Sequence, residues 1–163
     1  MVEDTLTSTL TIRDAEDRDA EAIAVISRQL AVRIECAPGL MTPDLVKHEL
    51  IRGRGLSVMV AERDGTTLGY CLYTVAYETA FAARGFYMTD LAVDESARGQ
   101  GIGKALMHEL ARRVKADGGR YIWWVTTENN TQAQAFYDTL NGGMARVQAR
   151  VVVNESFEAL LPD

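Results

Sequence analysis

The residues best suited to chemistry lie in one glycine-rich, basic segment, residues 98–104, which reads RGQGIGK. The segment follows an apolar run, residues 86–93, and precedes a stretch with apolar residues at helical spacing. Glycines allow the backbone to approach a ligand closely, and a helix that begins here presents unpaired N–H groups and a partial positive charge. Because Arg98 and Lys104 add full positive charges, the segment predicts a phosphate-binding site.

Two other phosphate-binding motifs do not fit this segment. The dinucleotide motif GxGxxG is not matched, because Gly99, Gly101 and Gly103 alternate and Ala105 follows them. The P-loop pattern GxxxxGK[ST] is also absent. A glycine-rich turn without a ligand is the remaining alternative, and the basic residues within a strand–loop–helix context disfavour it.

At these residues the chain resembles the GNAT (Gcn5-related) N-acetyltransferases. Their pyrophosphate loop, Gln/Arg-x-x-Gly-x-Gly/Ala, corresponds to residues 98–103, and the preceding Asp-Leu-Ala-Val of residues 90–93 is also typical of the family. A second landmark of the family is an Asn followed by a helix that bears Phe-Tyr, which corresponds to Asn130, Phe136 and Tyr137. The resemblance is strong over residues 86–143 and looser over residues 5–85, where only the order of elements agrees.

This resemblance implies a single GNAT domain over residues 1–163, with a mixed α/β fold. The expected architecture is a central mixed, twisted sheet of about six to seven strands flanked by about four helices. The implied activity is transfer of an acetyl group from acetyl-CoA to a primary amine of a small molecule, by direct attack in a ternary complex and without a metal. The C-terminal pattern is also similar to that of the diamine acetyltransferases.

The resemblance also implies which residues bind the acyl donor. Backbone groups of Leu91, Ala92 and Val93 would pair with the pantetheine, and Asn130 would bind near the pantetheine or the thioester. Tyr137 would lie there as well and protonate the leaving thiolate, with core packing of its ring as the alternative. The pyrophosphate would be held by the amides of Gly99, Gln100, Gly101, Ile102, Gly103 and Lys104, with the Arg98 side chain nearby.

The general base remains open at this point. An alkylammonium acceptor must lose a proton before it attacks the thioester. Relatives often carry Glu-Asp before the apolar triplet, whereas this chain has Thr89 and Asp90. The candidates are Asp90 and Glu78, and the alternatives are a structural hydrogen-bonding role for Asp90 and a solvated loop-edge charge for Glu78.

Three residues are candidates for contact with the acceptor. Glu35, at the end of the first predicted helix, could anchor an ammonium group, and Tyr87 could line the cleft. Trp123 and Trp124 are neighbours on a predicted strand and point to opposite faces of the sheet. Trp124 could therefore line the acceptor cleft and bind a cation. The alternative for both tryptophans is packing in the core. The alternatives for the function are acetylation of a protein N-terminus or lysine, and acyl-CoA sensing without catalysis.

The helices and strands that position these residues are predicted from the periodicity of apolar residues and from residue types typical of helix ends. An acidic stretch, residues 14–19, begins a helix that runs to about residue 34, and Thr42-Pro43 begins a second helix to about residue 52. Asp64-Gly65 predicts a hairpin turn. Strands are predicted at residues 7–13, 57–63, 66–77, 86–93, 121–127 and 144–153, and further helices after residue 101, at 131–140 and at 154–161.

Composition excludes several classes of function. With 163 residues, 47% of them hydrophobic and 25% charged, the chain fits one soluble domain. No apolar run is long enough to span a bilayer and the N-terminus lacks signal-peptide features, so we expect a cytoplasmic protein with no membrane partner. The net charge of −6 disfavours nucleic acid. The apolar stretch 147–153 suits either a homodimer interface, as the resemblance implies, or an ordinary buried strand.

Overall fold

The computed structural model describes residues 9–36, 39–140, 142–153 and 155–162. The chain divides into two compact units, Met1–Asn130 and Thr131–Asp163. The prediction of a single domain over residues 1–163 therefore stays a prediction. No helix in the described ranges is long and apolar enough to cross a membrane.

The larger unit contains the five strands that the described residues form. In chain order its elements are β1 (Thr11–Asp14), α1 (Ala20–Arg33), α2 (Pro43–Leu45) continued by a π-helical segment (Val46–Ile51), β2 (Ser57–Arg63), β3 (Thr66–Glu78), β4 (Ala83–Val93), α3 (Ile102–Ala116) and β5 (Tyr121–Trp123). The smaller unit contains α4 (Thr131–Asp138) and α5 (Glu155–Glu158).

The strands form one mixed sheet in the order β1-β2-β3-β4-β5, antiparallel except for the parallel pair β4–β5. This confirms the predicted mixed α/β class, although the described residues contain five strands where about six to seven were expected. Asp64 and Gly65 both have positive φ angles, 51° and 76°, as a two-residue hairpin turn with the twist of its flanking strands requires.

Helices cover both faces of the sheet. On one face, α1 and the α2 region bury Ile23, Ile26 and Val46 against alternate strand residues such as Val60 and Tyr70. On the other face, α3 packs on β2, β3 and β4 and buries one stripe of its own side chains. That stripe consists of Ile102, Leu106, Met107, Leu110 and Val114. The sheet is thus the middle layer, which explains why β2, β3 and β4 are rich in buried residues.

Two predicted strands differ from the structure. The strand expected at residues 121–127 ends at Trp123, because its pairing with β4 ends there. The strand expected at 144–153 is not formed, and apolar residues in it are exposed, Val151 by 81%. An alternating apolar pattern needs a neighbouring strand to become a ladder, and the described part of the smaller unit contains none. Asn154, predicted to cap the last helical turn, lies outside the described residues.

A buried ion cluster fixes the start of α1 to the sheet. Asp19, whose side chain is 3% exposed, accepts hydrogen bonds from both Arg13 Nη atoms at 2.7 and 2.8 Å and from Thr67 Oγ1 at 2.6 Å. Arg13 also pairs with Glu62 of β2. Burial alone would raise the pKa of Asp19, but the bonds from Arg13, Thr67 and the Glu16 N–H outweigh it and lower that pKa to about 2.

We expect Asp19→Asn to lower the free energy of unfolding by on the order of 2 to 3 kcal/mol, because a charge-assisted cluster loses its central acceptor. The lowered pKa means that this stabilisation is fully present above the unfolded pKa of about 3.9 and is lost as pH falls through about 2. Urea unfolding at several pH values measures both effects. Asp44→Asn, at an exposed position, is the matched control. Equal stability of the two variants at pH 7 would contradict this account of the cluster.

The close approach of β4 and β5 depends on Gly85. A Cβ atom at this position would lie 2.4 Å from the carbonyl oxygen and 2.5 Å from Cδ1 of Tyr121, its register partner. We expect Gly85→Ala to destabilise the chain by about 1–3 kcal/mol, because backbone and ring must move apart. Thermal unfolding measures this, with Gly143→Ala as control because no atom lies within 4 Å of its Cβ position. An unchanged Tm for Gly85→Ala would show that the strands are not held this closely.

Candidate functional site

The first turn of α3 has no side-chain cap. Its N-cap residue is Gly101, with a φ of 79°, which has no side chain to accept a hydrogen bond from the first turn. The first helical bond runs from the Ala105 N–H to the Gly101 carbonyl oxygen at 3.0 Å, so the amides of Ile102, Gly103 and Lys104 precede the hydrogen-bonded ladder. Gly99 also has a positive φ, 76°, which glycine adopts without strain. Loop and helix together have the chemistry of an anion site.

Gln29 of α1 holds the start of this loop. Its Nε2 donates to Asp94 Oδ2 at 3.0 Å, and its Oε1 accepts from the Glu95 N–H at 3.1 Å. Asp94 in turn accepts from the Ser96 N–H at 3.0 Å. The bonds from Ser96 and Gln29 lower the pKa of Asp94, so the loop begins at a charged, well-bonded carboxylate. Sequence reasoning missed Gln29, since a single polar residue on a helix carries no signal of its partner.

The Arg98 side chain turns back toward the end of β4. Its Nε donates to the Val93 carbonyl oxygen at 3.2 Å, and Nη1 lies 3.4 Å from Glu95 Oε1. Close packing brings this region against β3, because a Cβ on Gly69 would lie 2.9 Å from the Ala92 carbonyl oxygen and 3.3 Å from Ile102 Cγ2. The absence of a side chain at Gly69 therefore lets the first residue of α3 pack directly beside β3.

The ladder between β4 and β5 is short. It pairs Gly85 with Tyr121, Phe86 with Ile122 and Tyr87 with Trp123. Leu91, Ala92 and Val93 lie beyond this ladder, on the part of β4 that runs into the loop. In the described part of the chain, that edge of β4 has no partner strand, so an extended ligand could pair with it as a strand would. Tyr87 and Trp124 are half-buried at and just after the point where the ladder ends.

A β-bulge at Thr89 changes the direction of Asp90. Met88 pairs with Tyr73 and Asp90 pairs with Leu72, so Thr89 is an extra residue on β4. Without the bulge, Met88 and Asp90 would share one face. With it, Asp90 lies on the face of Leu72, which is the face that α1 covers. Thr89 Oγ1 donates to the Leu72 carbonyl oxygen at 3.2 Å, within the bulge.

The carboxylate of Asp90 is bonded to a buried tyrosine. Tyr70, 1% exposed, donates its hydroxyl proton to Asp90 Oδ2 at 3.2 Å. Tyr70 is also hydrogen-bonded to Ser27 of α1. Burial raises the pKa of Asp90, and the bond from Tyr70 offsets part of that rise. A carboxylate with a raised pKa is a better proton acceptor than an exposed one, as a general base requires.

The other predicted acidic residues are Glu78 and Glu35. Glu78 is at the far end of the β3–β4 hairpin, opposite Ala83, and its Oε1 accepts from the Ala80 N–H at 3.0 Å. The register places it six residues along β3 from the partner of Asp90, a separation of roughly 20 Å. Glu35 is exposed after α1, with a φ of 58°. The structure does not bring Glu78 and Asp90 together.

The second family landmark spans the end of the larger unit and the smaller unit. Asn130 closes a turn, with its N–H donating to the Thr127 carbonyl oxygen at 3.1 Å, and is the last residue of the larger unit. Tyr137 lies on α4 in the smaller unit, half-buried, with its ring centroid 5.3 Å from that of Phe136.

Comparison with known proteins gives several relatives. L-ornithine N5-acetyltransferase NATA1 of Arabidopsis thaliana is 29% identical over 77 residues, a match covering 47% of this chain and 34% of the relative. The uncharacterised N-acetyltransferase YhfO of Bacillus subtilis is 24% identical over 135 residues, covering 79% of this chain and 87% of the relative. The chain thus spans about a third of the length of NATA1 and most of YhfO.

Solved structures show the same fold. An integron cassette protein from the mobile metagenome of V. cholerae superposes with a TM-score of 0.79 at 22% identity, covering 93% of this chain and 96% of that protein. The soil-metagenome aminoglycoside acetyltransferase meta-AAC0020, in complex with sisomicin, superposes with a TM-score of 0.71 at 18% identity, covering 89% and 97%. The sequence model of the acetyltransferase (GNAT) family matches residues 24–142. The chain therefore belongs to the GNAT acetyltransferase family, and the predicted family, fold and enzyme class, an acyltransferase, are confirmed.

Proposed function

We propose that the protein transfers an acetyl group from acetyl-CoA to the primary amine of a small molecule, in a ternary complex. The observation that carries this proposal is the uncapped start of α3 beside the open edge of β4. An anion-binding loop next to an unpaired strand suits a ligand with a pyrophosphate at one end and an amide-containing arm at the other. A homodimer and a cytoplasmic location stay predictions.

The donor would be held mainly by backbone groups. Amides of residues 99–104 would bind the pyrophosphate, and Leu91, Ala92 and Val93 would pair with the pantetheine arm. The residues present suit that role, because Gly101 leaves the first turn of the helix uncapped and the Cβ positions of Gly99 and Gly101 face open space. Arg98 would add a positive charge near the phosphates. Asn130 would bind near the thioester, a role that rests on its place in the family motif.

Asp90 is our choice for the general base. It would accept the proton that the ammonium loses, directly or through water, before the nitrogen attacks the thioester carbonyl. A C–N bond then forms, the C–S bond breaks, and the thiolate takes a proton from Tyr137. The second proton, which the nitrogen loses on becoming an amide, returns to the Tyr137 oxygen through solvent. Burial and the bond from Tyr70 support the choice of Asp90 over Glu78, which caps a turn at the far end of the hairpin. The role of Tyr137 rests on the family motif.

The acceptor that we propose is a small, cationic amine and not a protein. Two of the similar proteins are named for small amines, ornithine and the aminoglycosides. The net charge of −6 favours a cation as well. Glu35, Tyr87 and Trp124 are the proposed acceptor contacts, with Glu35 as the anchor for an ammonium group. Acetylation of a protein N-terminus or lysine is the alternative that the experiment must separate.

The proposal predicts that the protein releases free thiol from acetyl-CoA in the presence of a small amine. The test is a thiol-release assay across polyamines, amino acids with a side-chain amine, aminoglycosides and basic peptides. Release with one class of small amine supports the proposal and identifies the acceptor class. Release with peptides alone would replace it with the protein-acetyltransferase alternative. Tight acetyl-CoA binding without release from any amine would favour the non-catalytic sensor.

A pH profile tests the assignment of the base. Because a base must be deprotonated, kcat/KM should fall as pH drops through the raised pKa of Asp90. We expect Asp90→Asn to reduce kcat about a hundredfold or more and to remove that acidic limb. Tyr137→Phe should lower turnover on the alkaline side while the Kd for acetyl-CoA is unchanged.

Tyr70→Phe is the companion variant for this profile. It removes the hydrogen bond that lowers the pKa of Asp90, so the acidic limb should move to higher pH while the carboxylate remains. A purely structural role for Asp90 would lower Tm in both variants and leave the shape of the profile unchanged. An acidic limb that survives in Asp90→Asn would contradict the assignment.

A further inference from the structure

Arg63 is a half-buried cation that touches the loop before α3. It is the last residue of β2, and its Nη1 donates to Gln100 Oε1 at 2.6 Å. Gln100 lies between Gly99 and Gly101, in the middle of the anion-binding loop. The hairpin that joins β2 to β3 therefore brings a guanidinium to the same loop that α1 holds through Gln29.

No described residue neutralises the charge of Arg63. No ion pair in the described ranges includes it, whereas Arg13, Arg98 and Arg113 all pair with carboxylates. Its Nε is shielded from solvent and makes no hydrogen bond to any described residue. A shielded donor without an acceptor is costly, and a cation beside the positive end of a helix is unfavourable as well. Both costs are removed if an anion binds beside the loop.

We infer that Arg63 binds a phosphate group of the acyl donor, as a second cationic contact from outside the α3 loop. The inference rests on the proposed function, since it assumes that acetyl-CoA binds at this loop. Two groups of the donor share the required chemistry, the pyrophosphate and the 3′-phosphate of the ribose. Arg63 contacts the side chain of Gln100 in the loop, whereas Arg98 contacts the Val93 carbonyl oxygen at the end of β4, so the contact of Arg63 adds to that of Arg98 and does not replace it.

Calorimetric titration with acetyl-CoA and with 3′-dephospho-acetyl-CoA tests the inference on the full chain. Arg63→Gln keeps a long polar side chain and removes the charge, and we expect it to weaken acetyl-CoA binding about tenfold or more. Arg54→Gln is the matched control, because it removes the same charge from an exposed arginine. Its Kd should equal that of the wild type. The Arg63→Gln variant should also lose part of the salt dependence of binding.

The two donors separate the sources of the phosphate. Weakening with acetyl-CoA alone assigns Arg63 to the 3′-phosphate, and equal weakening with both donors assigns it to the pyrophosphate. If the wild type binds acetyl-CoA and Arg63→Gln binds it equally well, the inference is overturned while the proposed function stands. If the wild type does not bind acetyl-CoA, both the inference about Arg63 and the proposed function are contradicted. Arg63→Lys, which keeps the charge, should retain most of the affinity and shows that a loss in Arg63→Gln is not a folding defect.

Discussion

The N–H groups that precede the hydrogen-bonded ladder of α3 are the feature on which the rest of the site depends. A helix start that lacks a side-chain cap leaves backbone donors without partners, and a partial positive charge accompanies them. The surrounding elements keep this start close to β4. Gly69 allows Ile102 to pack beside β3, and Gln29 ties α1 to the residues that begin the loop. The sheet and both helical layers thus support one short stretch of backbone.

The same strand that leads into this loop also carries the candidate base. The bulge at Thr89 reverses the alternation of β4, so that Asp90 faces the α1 layer while Met88 lies opposite Tyr73. Tyr73 is bonded to Arg113 of α3 at 2.9 Å, whereas Tyr70 is bonded to Asp90. One inserted residue therefore decides which helical layer surrounds the carboxylate. The short β4–β5 ladder ends at Tyr87, so the rest of β4, which leads into the loop, has no partner strand on that edge among the described residues.

Local patterns predicted most elements of the larger unit. The hairpin at Asp64-Gly65, the capped start at Thr42-Pro43 and the glycine-rich entry to α3 each depend on neighbouring residues alone, and all three are found. The bulge at Thr89 and the early end of β5 could not be predicted, because both are set by the register against another strand. The prediction of a strand at residues 144–153 was wrong for the same reason, because the periodicity of apolar residues does not indicate whether a neighbouring strand is present. Gln29, Tyr70 and Arg63 were missed because their partners are distant in sequence.

The central claim is that the loop before α3 holds the phosphates of an acyl-CoA donor. The most direct measurement is calorimetric titration of acetyl-CoA into the wild type and into Arg98→Glu. Reversing the charge at Arg98 places a carboxylate beside the proposed phosphates, so the account predicts saturable binding to the wild type and a loss of affinity of about a hundredfold in the variant. Equal affinity of the two proteins, with the variant folded, would contradict the claim.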